Sequence, residues 1–392
     1  MKFESNEAFN PLRLRVGGSL EDQTVYKVGL VTKCPHFKNN MNVRRFGFSN
    51  GCITMERWDQ LNQFFNETGA KVTFGLNALR GKKLENKNST LWVGNWNKLN
   101  AQEFMKYTIS KGYKIDSYEL GNELSASGVF ARVNAGQYGK DMIILSNLVK
   151  NLVLVASTIS KWFNEFLRVS GPGIVDGLTH HVYNLGAAEF KTPFYLDEIA
   201  QTFKSISESI KQYGPWTGAW VGESGGAYHS GACGGTNVSN TFADGFWYLD
   251  QLGMASTFDH KVYCRQVLIG GNYGLLNTTT FAPNPDYYGA LLWHRLMGSR
   301  VLQVSHDASP YLRSDHTERL PPREEYHLTP EGGNIQSQVV LLNDTPLKLT
   351  KTMEIPNLNP ALVSPLEPIK VAPDSFVFAV LRGFGAPACS SS

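Results

Sequence analysis

Between Leu12 and Ile269, short runs of β-branched and aromatic residues alternate with longer stretches whose apolar residues recur at helical spacing. Such a rhythm confines a chain to parallel strands linked by helices, because a parallel pair cannot be joined by a tight turn. Leu12–Val16, Lys71–Asn77, Ile115–Gly121, Gly177–Tyr183, Ala219–Val221 and Lys261–Ile269 read as strands. Met55–Thr68, Ala101–Lys111, Tyr138–Leu154, Phe203–Tyr213 and Thr241–Ala255 read as helices. Six strands are two short of a closed (β/α)8 barrel of the TIM type. From Val301 the pattern changes: Gln338–Leu342, Leu347–Thr350 and Ser375–Leu381 alternate between Pro, Asn and Asp turns, while Ser314–Glu325 is polar, carries proline and reads as a loop. The expected organisation is an α/β barrel over residues 1–300 and an antiparallel β-sandwich over 301–392.

Two strands run out at a glutamate. Tyr118-Glu119-Leu120-Gly121-Asn122-Glu123 and Trp220-Val221-Gly222-Glu223-Ser224-Gly225-Gly226 each break from an apolar run into glycine and small polar residues, which is where a parallel barrel presents side chains to a ligand. A glutamate after Gly-Asn is, taken alone, more often a solvated loop or capping residue. Two in matching contexts offer a carboxylate pair, as glycosidic cleavage requires: one protonates the departing oxygen and one stabilises or captures the cationic sugar carbon.

Composition removes other classes. The formal charge is +3, from 37 basic and 34 acidic residues without a run of like sign, so neither nucleic acid nor a membrane surface is indicated. No glycine-rich phosphate loop follows a strand, and no third acidic or histidine ligand lies at a suitable local spacing, so neither cofactor nor metal is expected. Cys34, Cys52, Cys233, Cys264 and Cys389 lack a CxxC spacing and allow at most two bridges. Sequons at Asn66, Asn88, Asn237, Asn277 and Asn343 suit a secreted glycoprotein, although the first residues carry no signal-peptide apolar region.

The phrases Leu12-Arg13-Leu14-Arg15-Val16-Gly17-Gly18-Ser19, Phe74-Gly75-Leu76-Asn77-Ala78-Leu79, Leu120-Gly121-Asn122-Glu123, Thr179-His180-His181, Val221-Gly222-Glu223, Arg265-Gln266-Val267 and Gly271-Asn272-Tyr273 occur in this order. Together they resemble the heparanase and β-glucuronidase family of glycoside hydrolases, family 79, in its plant heparanase-like branch. The resemblance implies a (β/α)8 barrel with a β-sandwich, and retaining hydrolysis of β-glucuronides borne by glycan side chains or by flavonoids and other small molecules. It implies Glu123 as the acid/base and Glu223 as the nucleophile. The negative charge of Glu223 would keep a proton on Glu123 until Glu223 is esterified by the sugar, after which Glu123 would serve as base.

By the same resemblance Asn122 would hold the sugar hydroxyl next to the reacting carbon. Arg15 and Tyr183, the latter in a His181-x-Tyr183 pattern, would orient Glu223, and His181 lines the same site. Gly271 and Tyr273 would receive the glucuronate carboxylate through a backbone N–H and a phenol, with Gln266 beside them. A carbohydrate or glucuronide substrate, no cofactor, a monomer, and a secreted, cell-wall or lysosomal/vacuolar location are implied, with room for peripheral membrane association. Departures from the family pattern point to a barrel lacking its first and fifth strands and a sandwich missing a block between Leu312 and Pro321, with Leu152–Ile159 the one run that could stand in for the fifth strand. Such losses give the alternative reading of an inactive, carbohydrate-binding or truncated isoform.

Overall fold

The computed structural model describes residues 9, 11–39, 49–125, 131–149, 153–157, 161–185, 192–226, 238–271, 273–301 and 321–383. The chain forms two compact units that interleave in sequence. The first comprises Met1–Val182, Ala200–Ser224 and Phe258–Arg265; the second comprises Tyr183–Ile199, Gly225–Thr257 and Gln266–Ser392.

The first unit is built on a parallel sheet of β1 (Arg13–Val16), β2 (Lys71–Leu76), β3 (Ser117–Leu120), β4 (Val153–Ser157), β5 (Gly177–Val182), β6 (Gly218–Ser224) and β7 (His260–Arg265), paired in that order. Helices α1 (Met55–Thr68), α2 (Leu99–Ser110), α3 (Ala135–Leu148), α4 (Lys161–Ser170) and α5 (Ile199–Tyr213) make the crossovers from β1 to β6. Helix α1 starts where Thr54 accepts the Arg57 N–H and stops at Gly69, whose φ of 61° suits glycine. Its Trp58, fully buried, meets Phe65 and Phe74 edge-on and Phe104 at a tilt, and the indole N–H is satisfied by Thr108 at 3.0 Å.

Curvature follows from one side chain. Were the sheet flat, strands about 4.8 Å apart would put β1 and β6 roughly 24 Å from each other. Arg15 of β1 nevertheless donates to Glu223 of β6 at 2.9 Å, and the Arg13 guanidinium lies 5.0 Å from the Trp220 ring centre. The sheet therefore curls around these residues. Its edge strands β1 and β7 touch, although no ladder joins them among the described residues.

Several expectations need correction. Helix α3 begins three residues early, because Asn134 caps it by accepting the Gly136 N–H, and ends at Leu148 rather than Leu154. The next apolar run is extended as β4, which pairs with β3 on one side and β5 on the other. Seven strands are thus in the sheet instead of six. The β4 sequence, VLVAS, is rich in β-branched residues, and without it both β3 and β5 would present an open edge.

The second unit holds α6 (Asp244–Thr257), α7 (Pro285–Leu296) and an antiparallel sheet of β8 (Arg323–Pro330), β9 (Val340–Leu342), β10 (Thr345–Pro346), β11 (Ala361–Val363) and β12 (Phe376–Val380). Helix α7, opened by Asn284 and Pro285, was not foreseen. Nor was β8, whose first residues fall in the presumed loop. Arg323, Glu325 and His327 sit on one face of β8 and satisfy each other, Glu325 accepting from Arg323 at 2.7 Å and pairing with the His327 ring at 2.7 Å, so a buried strand is spelled in charged letters. Leu347–Thr350 is not a strand, and the Leu312–Pro321 junction is almost wholly outside the described residues. The Asn343 side chain is tied into the turn, donating to the Glu325 and Asn359 carbonyls and accepting the His327 N–H. Cys34 and Cys52 form a disulfide in the first unit, Cys264 is a free thiol, and Cys233 and Cys389 lie outside the described residues.

On the helix side of the first unit's sheet, His180 of β5 and His260 of β7 share one proton at 2.9 Å against the Phe203 ring. The Phe258 carbonyl only accepts, so His260 Nδ1 carries the hydrogen, and Nε2 of His260 receives the N–H of His180. Burial pushes the His180 imidazole well below its ordinary value and that of His260 down to about 4. An unfolded histidine takes up its proton near pH 6.5, so between roughly pH 4 and 6.5 these two positions bind more protons in the unfolded chain, and the pair contributes a loss of stability as the solution is acidified through that window. Denaturant unfolding at pH 7 and near pH 4.5 checks this: the loss on acidification should shrink by about 2 kcal/mol in His260→Gln, and an equal loss in both proteins would refute it.

Candidate active site

The guanidinium of Arg15, carried by β1, is a hub. Its Nε donates to Glu119 Oε2 at 2.5 Å, Nη1 to Glu223 Oε2 at 2.9 Å and Nη2 to Asn122 Oδ1 at 2.9 Å. Glu119, projecting from β3, is completely buried, and its other oxygen accepts the Thr179 hydroxyl of β5 at 2.9 Å. Burial opposes the charge on Arg15, but Glu119, Glu21 and Glu223 outweigh it and hold the guanidinium pKa above the ordinary arginine value.

After β1 the chain turns at Gly17-Gly18 into a single 3-10 turn, Glu21–Gln23, which places two more acids behind the hub. Glu21 folds back to accept the Gly18 N–H at 3.0 Å. Its carboxyl lies where Gly75 has no side chain, since a Cβ there would come within 2.0 Å of Glu21 Oε2. Burial drives the Glu21 carboxyl well above the usual carboxylate range, and the charge of Glu119 adds to it. Asp22 gives one oxygen to the N–H of Ala78 and the other to the N–H of Asn122, both at 2.9 Å, and burial raises it to about 7. The chain ends leaving β2 and β3 are thereby pinned to the turn after β1.

Beyond Asn122 the backbone takes Glu123 into the left-handed region, with φ of 55°, two residues after Gly121 with φ of 75°. A non-glycine residue held there stores strain that the surrounding contacts must maintain. The result is a close cluster. His181 Nδ1 lies 2.8 Å from Glu123 Oε1 and 4.0 Å from Glu223 Oε2, and one ligand atom from each of the three side chains falls within 4.8 Å of the others. The Glu123 and Glu223 side chains remain 32% and 15% exposed, so solutes can reach both.

Three such donors have the makings of an open metal site, which local spacing could not reveal because the residues are far apart in sequence. Arg15 already directs a fixed positive charge at Glu223 Oε2, and a cation bound to that oxygen would meet it. The arrangement is better suited to moving a proton: an imidazole nitrogen in hydrogen-bond contact with one carboxyl, and a second carboxylate held by a guanidinium.

The remaining sequence candidates lie in the second unit. The Tyr183 ring packs on Gly225, where a Cβ would come within 2.6 Å of it. Gly271, with φ of 56°, has the Tyr273 ring against it at the same distance and offers its carbonyl to the Thr278 hydroxyl at 2.8 Å. Gln266 directly follows β7. The first unit gathers Arg15, Asn122, Glu123, His181 and Glu223, and the second sets Tyr273 beside Gly271.

Sequence reasoning missed Glu119, Thr179, Glu21 and Asp22. For Glu119 a signal existed, namely an acid inside an apolar run, facing inward with no local partner. For Glu21 and Asp22 there was none, because acids in a polar turn read as solvated. Replacing Asp22 with Ala leaves two buried N–H groups without an acceptor and should cost about 3 kcal/mol. Urea denaturation measures that cost, and a change below about 0.5 kcal/mol would refute the pinning role.

A family model described as "Glycosyl hydrolase family 79, N-terminal domain" matches residues 2–253. Heparanase-like protein 2 of Arabidopsis thaliana is 45% identical, with 98% of this chain and 85% of that protein covered. Its alignment runs over 463 positions, more than the 392 residues of this chain, so the relative carries segments that have no counterpart here. Baicalin-beta-D-glucuronidase of Scutellaria baicalensis is 38% identical, covering 96% of this chain and 81% of the relative. Among solved structures, a 4-O-alpha-L-rhamnosyl-beta-D-glucuronidase from Fusarium oxysporum shares the fold with a TM-score of 0.61 at 13% identity, covering 97% of this chain and 89% of its own. With its mixed α/β fold, a match over more than half its length and relatives this near, the chain belongs to glycosyl hydrolase family 79 and is a glycosidase.

Proposed function

We propose that the chain is a retaining β-glucuronidase, acting on glucuronides of glycan side chains or of small aromatic aglycones, with Glu223 as nucleophile and Glu123 as acid/base. The observation that carries this reading is the spacing of the pair, whose nearest oxygens lie within 4.8 Å. A retaining pair stands about 5 to 5.5 Å apart, whereas an inverting pair needs about 6.5 to 9.5 Å to admit a water between carboxylate and sugar. In the first step a Glu223 oxygen bonds to the anomeric carbon as the glycosidic C–O bond breaks, and the Glu123 proton goes to the leaving oxygen. In the second, Glu123 takes a proton from water, whose oxygen displaces Glu223 and releases glucuronate. Arg15 keeps Glu223 ionised and aimed, and His181 fixes the orientation of the Glu123 carboxyl.

Asn122, anchored by Arg15, is assigned to the hydroxyl beside the reacting carbon. The Gly271 N–H, the Tyr273 phenol and Gln266 are assigned to the uronate carboxylate, with Tyr183 supporting Glu223. Donors built for a carboxylate discriminate against a neutral sugar, which leaves them unpaired. The names of the Scutellaria and Fusarium proteins are consistent with that substrate class. On this reading the seven-stranded sheet is the family's (β/α)8 barrel without its first strand, β4 standing in the fifth position, within residues 1–300, and 301–392 is the accessory β region. A monomer in a secretory, cell-wall or vacuolar compartment fits the Cys34–Cys52 disulfide.

The purified chain should release nitrophenol from 4-nitrophenyl β-glucuronide at least tenfold faster than from the glucoside. Glu223→Gln should lower kcat by about 10³-fold or more, and Glu123→Ala should be partly rescued by azide, giving the β-glucuronyl azide. An α-configured first product by NMR, or full activity in Glu223→Gln, overturns the mechanism. A folded chain that binds glucuronate without turnover supports instead an inactive carbohydrate-binding remnant. Separately, Tyr273→Phe should reduce the glucuronide-to-glucoside ratio of kcat/KM by about 10-fold, for one lost hydrogen bond to a charged group; an unchanged ratio removes Tyr273 from the carboxylate site.

A further inference from the structure

We infer that Glu119 is a positioning residue of the catalytic centre: it shares the charge of Arg15 and fixes its plane, so that a single guanidinium serves Glu223 and Asn122 at once. The inference rests on the assignment of Glu223 as nucleophile.

Glu119 has no access to solvent and cannot touch substrate. Its two oxygens are held from different strands, by Arg15 Nε of β1 and by the Thr179 hydroxyl of β5. Thr73 of β2 and Ser117 of β3, 2.7 Å apart, are buried in the same sheet, so the polar groups here satisfy one another instead of meeting water. A carboxylate tethered at both oxygens leaves Arg15 one orientation, and in that orientation Nη1 and Nη2 point at Glu223 and Asn122. A lone Arg15–Glu223 ion pair would also be too strong a hold for a carboxylate that must give up its charge to carbon. Two anions on one cation weaken that hold. The other charged or titratable groups around Arg15 include Glu21 and Asp22 on the turn after β1 and the buried Cys264 thiol of β7, with Arg13 also close to Cys264, while His181 lies 2.8 Å from Glu123 and 4.0 Å from Glu223.

The isosteric Glu119→Gln removes the charge and keeps an acceptor for Nε. Expected are a fall in kcat of about 10- to 100-fold with KM within about threefold, and an acid limb of the kcat/KM profile displaced to lower pH, because a buried negative charge near Glu223 has gone. Glu119→Asp keeps the charge and should leave that limb in place while still lowering kcat. Thr179→Val loosens the tether without altering charge, so it should lower kcat several-fold with no displacement; it also supplies the test if Glu119→Gln does not fold. Carbodiimide labelling of Glu223, followed by mass spectrometry across pH, reads the same displacement without turnover. Should the wild type hydrolyse no β-glucuronide, the functional assignment fails, and the labelling midpoint still decides whether Glu119 tunes Glu223. An unmoved acid limb and labelling midpoint in Glu119→Gln, or an unchanged kcat in Thr179→Val, overturns the inference.

Discussion

A buried guanidinium surrounded by acids is the constraint on which this protein turns. Arg15 reaches from β1 to partners on β3, on the loop after β3 and on β6, and so it joins parts of the chain more than two hundred residues apart. Removing one partner of a buried ion pair commonly costs about 3 to 5 kcal/mol, because the other charge is stranded in a medium that cannot solvate it. The sheet curls to bring these strands together, the glycines at 17 and 75 leave space for the acid behind them, and Asp22 ties the intervening loops. Chemistry and architecture share the same bonds here. Whatever loosens the guanidinium loosens both.

Much of this was legible in the sequence because parallel strands buried on both faces are built largely from apolar residues, as in residues 72–76 of β2 and 219–221 of β6. The two glutamates stood out for the reverse reason, as acids where such runs end. Elsewhere the one-dimensional signal failed for physical causes. Val153–Ser157 followed a helix without turn residues, and only the open edges of its neighbours reveal it as a strand. Arg323–Pro330 looked like a solvated loop because its charges cancel within one face.

The site divides in the same way. Strand position pointed to Glu123, Glu223 and Arg15, but their mutual distances come from closure of the sheet, which no local pattern encodes. His181 meets Glu123 from 58 residues away, so the histidine could be placed on a strand end but not opposite a particular acid. Glu119 was hidden by its own neighbours, since one acid in an apolar run is easily taken as noise. In a buried strand it is the opposite, a group that must have found a counterion.

The seam between β1 and β7 gives this arrangement a built-in weak point. Among the described residues β1 is hydrogen-bonded to a neighbour on one flank alone, through the register Arg13 to Lys71 and Val16 to Phe74. The arginine that unites the carboxylates therefore hangs from one of the two strands in its sheet that are paired on a single flank among the described residues. Fraying begins at such borders, and here it would release Glu223 from its guanidinium while the helices and the aromatic core around Trp58 remained intact.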